Sequence, residues 1–252
     1  MKKMFVFVFL VLQFSALGFA QRSCLPDPFP NIYRPQVLAD MQGMLSSSDS
    51  YKAARADFLL RAKAEALPDT FVPHLEDTVT KFLASERRSQ RQYILRLSRC
   101  LRDNDVITPL EKQALDRFFE AMLQNKAGEA LRAAKYLSEN AASDLGLIIG
   151  PIFLDLVADY DDSSGTAETQ SQVSGGDIGG AVGTIVGAIS GLATGGLGGA
   201  LVGATLGSAV GKAVGNAVQT LVDALFGKGD ELEEGGEEGG GDGGSNGGGE
   251  GD

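Results

Sequence analysis

Histidine is nearly absent from this chain: His74 is the only one in 252 residues. A single imidazole excludes a His-pair metal site and leaves no conventional Ser-His or Cys-His nucleophile. His74 follows Pro73 and reads as an ordinary residue in the first turn of a helix. Basic residues are in deficit, 22 Lys and Arg against 33 Asp and Glu for a net charge of −11, which disfavours a nucleic-acid partner. No glycine loop ends in Lys-Ser or Lys-Thr, so no phosphate cradle is present. Asp103-Asn104-Asp105 opens like a calcium loop, but Thr108 stands at its sixth position and Ala114 at its twelfth, where Gly and Glu belong. The carboxylate pairs Glu76/Asp77 and Asp161/Asp162 are adjacent in sequence, which fits solvated surface or linker better than acid/base work. These absences argue against an enzyme, and no cofactor, metal or small-molecule substrate is expected.

Charge is missing altogether from one long stretch: no Asp, Glu, Lys or Arg lies between Asp177 and Lys212. What fills it is glycine in register, at Gly175, Gly179, Gly183, Gly187, Gly191, Gly195, Gly199, Gly203, Gly207, Gly211 and Gly215. Between the glycines stand Ile178, Val182, Ile185, Val186, Ile189, Leu192, Leu197, Leu201, Val202, Leu206 and Val210, with Ala, Ser and Thr. On a helix, residues four apart share a face, and glycine there lets a second backbone come into contact. A step of four residues drifts roughly 40° around a helix, so one straight rod cannot hold all these glycines on one partner. The cluster Thr194-Gly195-Gly196-Leu197-Gly198-Gly199 is the weakest helix former and predicts a turn. The arms then cover 176–194 and 199–218, each about 30 Å long at 1.5 Å per residue, close to a bilayer's hydrocarbon thickness. A period of four is also a multiple of two, so spacing alone leaves a β-stacked arrangement open.

This pattern resembles the glycine-zipper segments of membrane-inserting proteins, and its composition is similar to the Gly-rich region of colicin V-type microcins. The resemblance covers the zipper segment only. It implies helix packing through the glycines, contact with a lipid bilayer and self-association. A microcin-like cut after Gly175-Gly176 is an alternative implied by the same likeness.

The remaining chain divides by composition. Residues 1–20, with Lys2 and Lys3, an apolar run from Met4 to Leu12 and small Gly18 and Ala20, read as a secretory signal peptide. Residues 21–160 read as a helical domain. Cys24 and Cys100, exported from a reducing cytosol, are expected to form a disulfide, stabilising by about 4 kcal/mol in the chain-entropy model. Helices are expected at 34–46, 49–67, 73–103, from a capping box at Thr108-Pro109-Leu110-Glu111 onward, and over 126–159 with a break at Pro151. Arg87, Arg88 and Arg91 belong to the one basic concentration in the chain. They are either a solvated helix face or a contact for anionic lipid headgroups or the acidic tail. Residues 161–174 have linker composition, 175–227 form the zipper hairpin with an amphipathic end, and 228–252 are a Gly/acidic tail expected to be disordered.

The sequence thus predicts an all-α protein: a helical bundle, a glycine-zipper hairpin and a disordered tail. The expected function is that of an exported, extracellular or cell-envelope, membrane-interacting protein, toxin-like or bacteriocin-like in forming pores. The alternative is a non-enzymatic envelope or surface protein that anchors or assembles through the zipper.

Overall fold

The computed structural model describes Cys24 and residues 33–160 and 172–222. The signal-like segment, most of the 161–174 linker and the 228–252 tail lie outside the described residues. The described residues are all-helical, in eight helices: α1 (Pro35–Ser47), α2 (Asp49–Ala64), α3 (Phe71–Leu83), α4 (Arg87–Asp103), α5 (Pro109–Leu123), α6 (Ala127–Asn140), α7 (Asp144–Leu156) and α8 (Gly175–Val222).

Local chemistry sets the helix ends. Thr108 accepts from the amide of Glu111 while the Glu111 carboxylate accepts from the amide of Thr108, and Pro109 takes the first helical position of α5. The Ser48 and Ser143 hydroxyls cap α2 and α7. Helices α2, α4 and α5 end with Ala66, Asp105 and Asn125 in the left-handed region. At each, two amides turn back onto the last carbonyls, as in Leu67 N to Ala62 O at 2.9 Å and Ala66 N to Lys63 O at 3.1 Å.

Two helix boundaries differ from the sequence expectation. The reach 73–103 is two helices, because the chain turns at Ala84-Ser85-Glu86, where Tyr33 and Arg34 pair with Ser85 and Ala84. The buried Gln90 side chain donates to the Phe82 carbonyl across that turn at 2.9 Å. The reach 126–159 breaks at 141–143, ahead of Pro151, which sits inside α7. Pro151 is exposed, so water can replace the backbone donor it lacks. Glu76 also departs from its reading as solvated surface: its carboxylate accepts from Tyr51 Oη at 2.8 Å and from Arg55 Nε at 2.6 Å.

Glu111 joins the two cap sites. Beyond its own box, Oε1 accepts from the amides of Ala142 and Ser143, both at 2.8 Å, and from the Ser143 hydroxyl at 2.9 Å. The residue is 2% exposed. Gly146 is required beside it, since a methyl group there would stand 2.2 Å from Glu111 Oε1. Next to this tie Phe118 and Phe153 stack at 4.5 Å, with Phe119 edge-on to both, and hold α5 against α7. Cys24 and Cys100 are disulfide-bonded with Cα atoms 5.4 Å apart.

The core is continuous from this bundle into α8. Ile178, Ala181, Val182, Ile185, Val186, Ala188 and Ile189 are buried in the same cluster as Met41, Leu75, Phe82 and Phe153. Helix α8 packs chiefly on α3 and α7, then on α2, α1 and α5. The sequence divides bundle from hairpin at 161–174, yet the two ends of that stretch meet. Tyr160 Oη donates to Asp177 Oδ2 at 2.8 Å, and the Ser174 hydroxyl donates to the same oxygen at 2.7 Å while accepting from the Asp177 amide. Bundle and hairpin share one core.

Burial pushes the Glu111 carboxyl up, but the hydrogen bonds from Thr108, Ser143 and Ala142 outweigh it and hold the carboxyl below its ordinary value. A depressed folded-state pKa means the contribution is present above the unfolded carboxylate pKa and is lost as pH falls through the folded value. Glu111→Gln is expected to cost about 1–3 kcal/mol at pH 7, because an amide offers one acceptor oxygen to donors that now share two. Urea midpoints at pH 7 and in the acid limb measure this, and the variant should lose part of the wild-type acid sensitivity.

Candidate functional site

Helix α8 is a hairpin. Its backbone leaves helical geometry at Gly195 (φ −134°, ψ 16°) and Gly196 (φ 62°, ψ −147°), within the turn expected from the glycine cluster. At Gly196 the positive φ is one that side-chain-bearing residues avoid. The first arm is residues 175–194 and the second 197–222, running antiparallel.

The eleven in-register glycines take defined places. Ten form five facing couples symmetric about the turn: Gly175 with Gly215, Gly179 with Gly211, Gly183 with Gly207, Gly187 with Gly203, and Gly191 with Gly199. Gly195 lies at the turn with open space around it. The couples touch main chain to main chain. A methyl group on Gly183 would stand 2.0 Å from the Gly207 carbonyl oxygen, and one on Gly207 would stand 2.0 Å from the Gly183 oxygen. For Gly187 and Gly203 the corresponding distances are 2.0 and 2.2 Å, and for Gly191 and Gly199 they are 1.9 and 2.3 Å. No side chain fits at that separation. A repeat longer than 3.6 residues stays on one partner only where the two rods wind about each other in the right-handed sense.

The two arms differ in surroundings. From Ile178 to Ile189 every residue of the first arm is buried. The second arm buries Ala200, Ala204, Leu206, Val210, Val214 and Val218, but exposes Leu201, Thr205, Lys212 and Asn216. Leu197 beside the turn is 47% exposed and Leu201 is 51% exposed. Within the hairpin, Thr184, Thr194 and Thr205 satisfy their hydroxyls on carbonyls of their own arm, three or four residues back. These threonines therefore ask for no hydrogen bonding from outside, as entry into hydrocarbon requires, whereas the buried Ser190 hydroxyl has no partner within the hairpin. Among the described residues α8 is the one helix long and apolar enough to cross a membrane, with mean hydropathy 1.7 over its most apolar window.

No family model, curated protein or solved structure matches this chain.

The remaining candidates from the sequence fall elsewhere. Arg87 donates to the Leu123 carbonyl at 2.8 Å, and Arg91 pairs with Glu120 at 2.7 Å, so both tie α4 to α5. Arg88 stands apart from them, exposed. The Gly175-Gly176 pair is buried in the first turn of α8, where a methyl on Gly176 would stand 1.9 Å from Asn216 Oδ1. His74 is partly buried on α3, and burial lowers its pKa below the usual imidazole value, with Asp77 opposing. Among the described residues, no group of three or more His, Cys, Asp or Glu is placed to hold a metal ion.

The sequence did not reveal what covers the first arm. The signal was present in the flanking aliphatics: Ile178, Val182, Ile185, Val186 and Ile189 lie off the glycine face and need apolar neighbours of their own.

Glycine-to-alanine substitution separates packing from propensity. Gly203→Ala should destabilise the fold by about 2 kcal/mol or more, because overpacking against backbone outweighs the propensity gain. Gly43→Ala, in α1 with nothing within 4 Å of the added methyl, should instead stabilise by up to about 1 kcal/mol. Thermal or urea melts of both variants give the sign of each change.

Proposed function

We propose that this protein is an exported, non-enzymatic, membrane-active protein that carries a lipid-seeking helical hairpin folded into an amphipathic sheath and delivers it to a bilayer, forming or widening pores. The observation that carries the reading is the hairpin itself. Its stretch 178–211 holds no charge, its threonine hydroxyls are satisfied within their own arms, and the first arm, 175–194 at about 1.5 Å per residue, matches the hydrocarbon core while the second, 197–222, exceeds it. The exposed leucines at and beside the turn, Leu197 and Leu201, are where such a hairpin would first meet lipid.

Magnitudes say that release needs a membrane. Eleven large aliphatics at roughly −0.3 to −0.6 kcal/mol each supply only a few kcal/mol of insertion drive. Taking the first arm out of the core in water would forfeit much of a domain's stability, about 5–15 kcal/mol. The hairpin therefore stays folded in solution, and lipid contact or a partner must offset the opening of the sheath.

A second reading is a structural envelope or surface protein that anchors or assembles through the hairpin without permeabilising. The deep burial of the first arm in the bundle core favours it, since a hairpin that never leaves needs no trigger.

Dye-loaded vesicles separate the readings. The full chain should cause leakage, and the double variant Leu201→Asp/Thr205→Asp should not. Both positions are exposed in the folded protein, so the fold is retained, whereas an aspartate at 205, toward mid-arm, approaches the roughly 2.5–3.5 kcal/mol cost of the bilayer centre. Tight vesicle association without leakage would support the anchoring reading, and no association at all would remove both.

A further inference from the structure

Helix α4 carries six arginines and one acid. Three of the arginines are committed: Arg87 to the Leu123 carbonyl, Arg91 to Glu120 and Arg102 to Asp103. Two neighbouring carboxylates are likewise matched, Glu86 with Arg34 at 3.0 Å and Asp116 with Lys112 and the Ser98 hydroxyl. That leaves Arg88, Arg96 and Arg99, all exposed and without a partner among the described residues. Their spacing places them with Gln92 and the part-exposed Leu95 along one stripe of the helix, opposite the buried Tyr93, Ile94, Leu97 and Leu101. The natural occupant of three unpaired cations on one face is an anionic, extended partner.

We propose that this stripe is the docking face for the chain's own acidic tail, residues 228–252. Charge complementarity is one support: that segment carries nine acids and a single lysine. Position is the second, and it is independent of charge. The end of α8 lies beside its beginning, since a methyl on Gly175 would stand 3.7 Å from the Cα of Gln219. The Val173 amide, two residues before Gly175, donates to Asn125 Oδ1 at 2.7 Å. Leu123, two residues before Asn125, receives Arg87 at the start of α4. The chain therefore leaves α8 at the end of the molecule where the arginine stripe begins. From Arg88 to Arg99 the stripe runs roughly 16 Å along the helix. Thirty residues lie beyond Val222, and a Gly-rich linker of that length has an r.m.s. reach of about 30 Å, enough to cover the whole face. Attraction between exposed charges is screened within about 10 Å at 0.1 M salt and about 3 Å at 1 M, so the clasp is salt-sensitive.

The test uses the full-length chain in buffer without lipid, so its outcome is independent of the insertion reading. A nitroxide on Ser245→Cys should broaden the backbone amide signals of residues 88–99 at low salt. The broadening should be lost at 1 M salt and in the triple variant Arg88→Glu/Arg96→Glu/Arg99→Glu. An unchanged melting temperature in the triple variant shows that the fold is intact, as expected for exposed side chains. Broadening that is absent, spread evenly over the surface, or retained in the triple variant overturns the proposal. In a separate arm with phosphatidylserine vesicles added, binding to the stripe with no tail contact at α4 in the lipid-free arm gives the face to a membrane and overturns the proposal.

Discussion

Main-chain contact between the two arms of α8 is the constraint from which the rest of the architecture follows. Ten glycines bring the arms so close that a carbonyl oxygen of one fills the place where a side chain of the other would be. In helix propensity this is unfavourable, about 1 kcal/mol for each glycine relative to alanine, so the segment has little reason to be helical alone in water. Dispersion and Cα–H···O contacts along the seam offset part of that cost. The remainder comes from the flanking faces, where Val182, Ile185, Val186 and Ile189 are fully enclosed. The seam thus turns these aliphatics outward and makes a sheath necessary. Helices α1, α2, α3, α5 and α7 provide it.

Polar ties join the helices of the sheath. Glu111 links the starts of α5 and α7, Asp177 links Tyr160 to the cap of α8, and Glu76 links α2 to α3 through Tyr51 and Arg55. Burial, followed by the charge and hydrogen bond of the Glu76 carboxylate, pushes the Tyr51 phenol far up; burial and Asp177 do the same to Tyr160. Each phenol stays a donor across the physiological range. A carboxylate accepting several short hydrogen bonds fixes direction as well as energy, which suits a structure whose central element has no side chains along its own seam.

Much of this was legible in the residues. The all-helical class follows from the apolar stripes, the capping box at Thr108 from its spelling, and the turn of the hairpin from Gly195-Gly196. The pairing of Cys24 with Cys100 followed from their number and the expected compartment. What escaped was non-local. An apolar run reads the same whether lipid or a protein core will surround it, so nothing in 178–189 announced that α3 and α7 would. The break at 84–86 depends on Tyr33 and Arg34 arriving from far away in sequence, and the break at 141–143 depends on Glu111. Pro151 failed to end α7 because it faces solvent, an orientation that sequence alone does not give. Arg87 and Arg91 looked equivalent to Arg88 until α5 was placed beside them.

The central claim is that the hairpin is a closed, glycine-seamed unit held inside the bundle until lipid draws it out. Amide hydrogen exchange, read residue by residue with and without vesicles, tests it most directly. The account predicts that residues 178–191 exchange in buffer only through global unfolding. With vesicles they should stay protected while α1, α2 and α3 exchange faster, as the sheath opens around an intact hairpin. Exchange of 178–191 in buffer at the rate of an exposed loop would contradict the account.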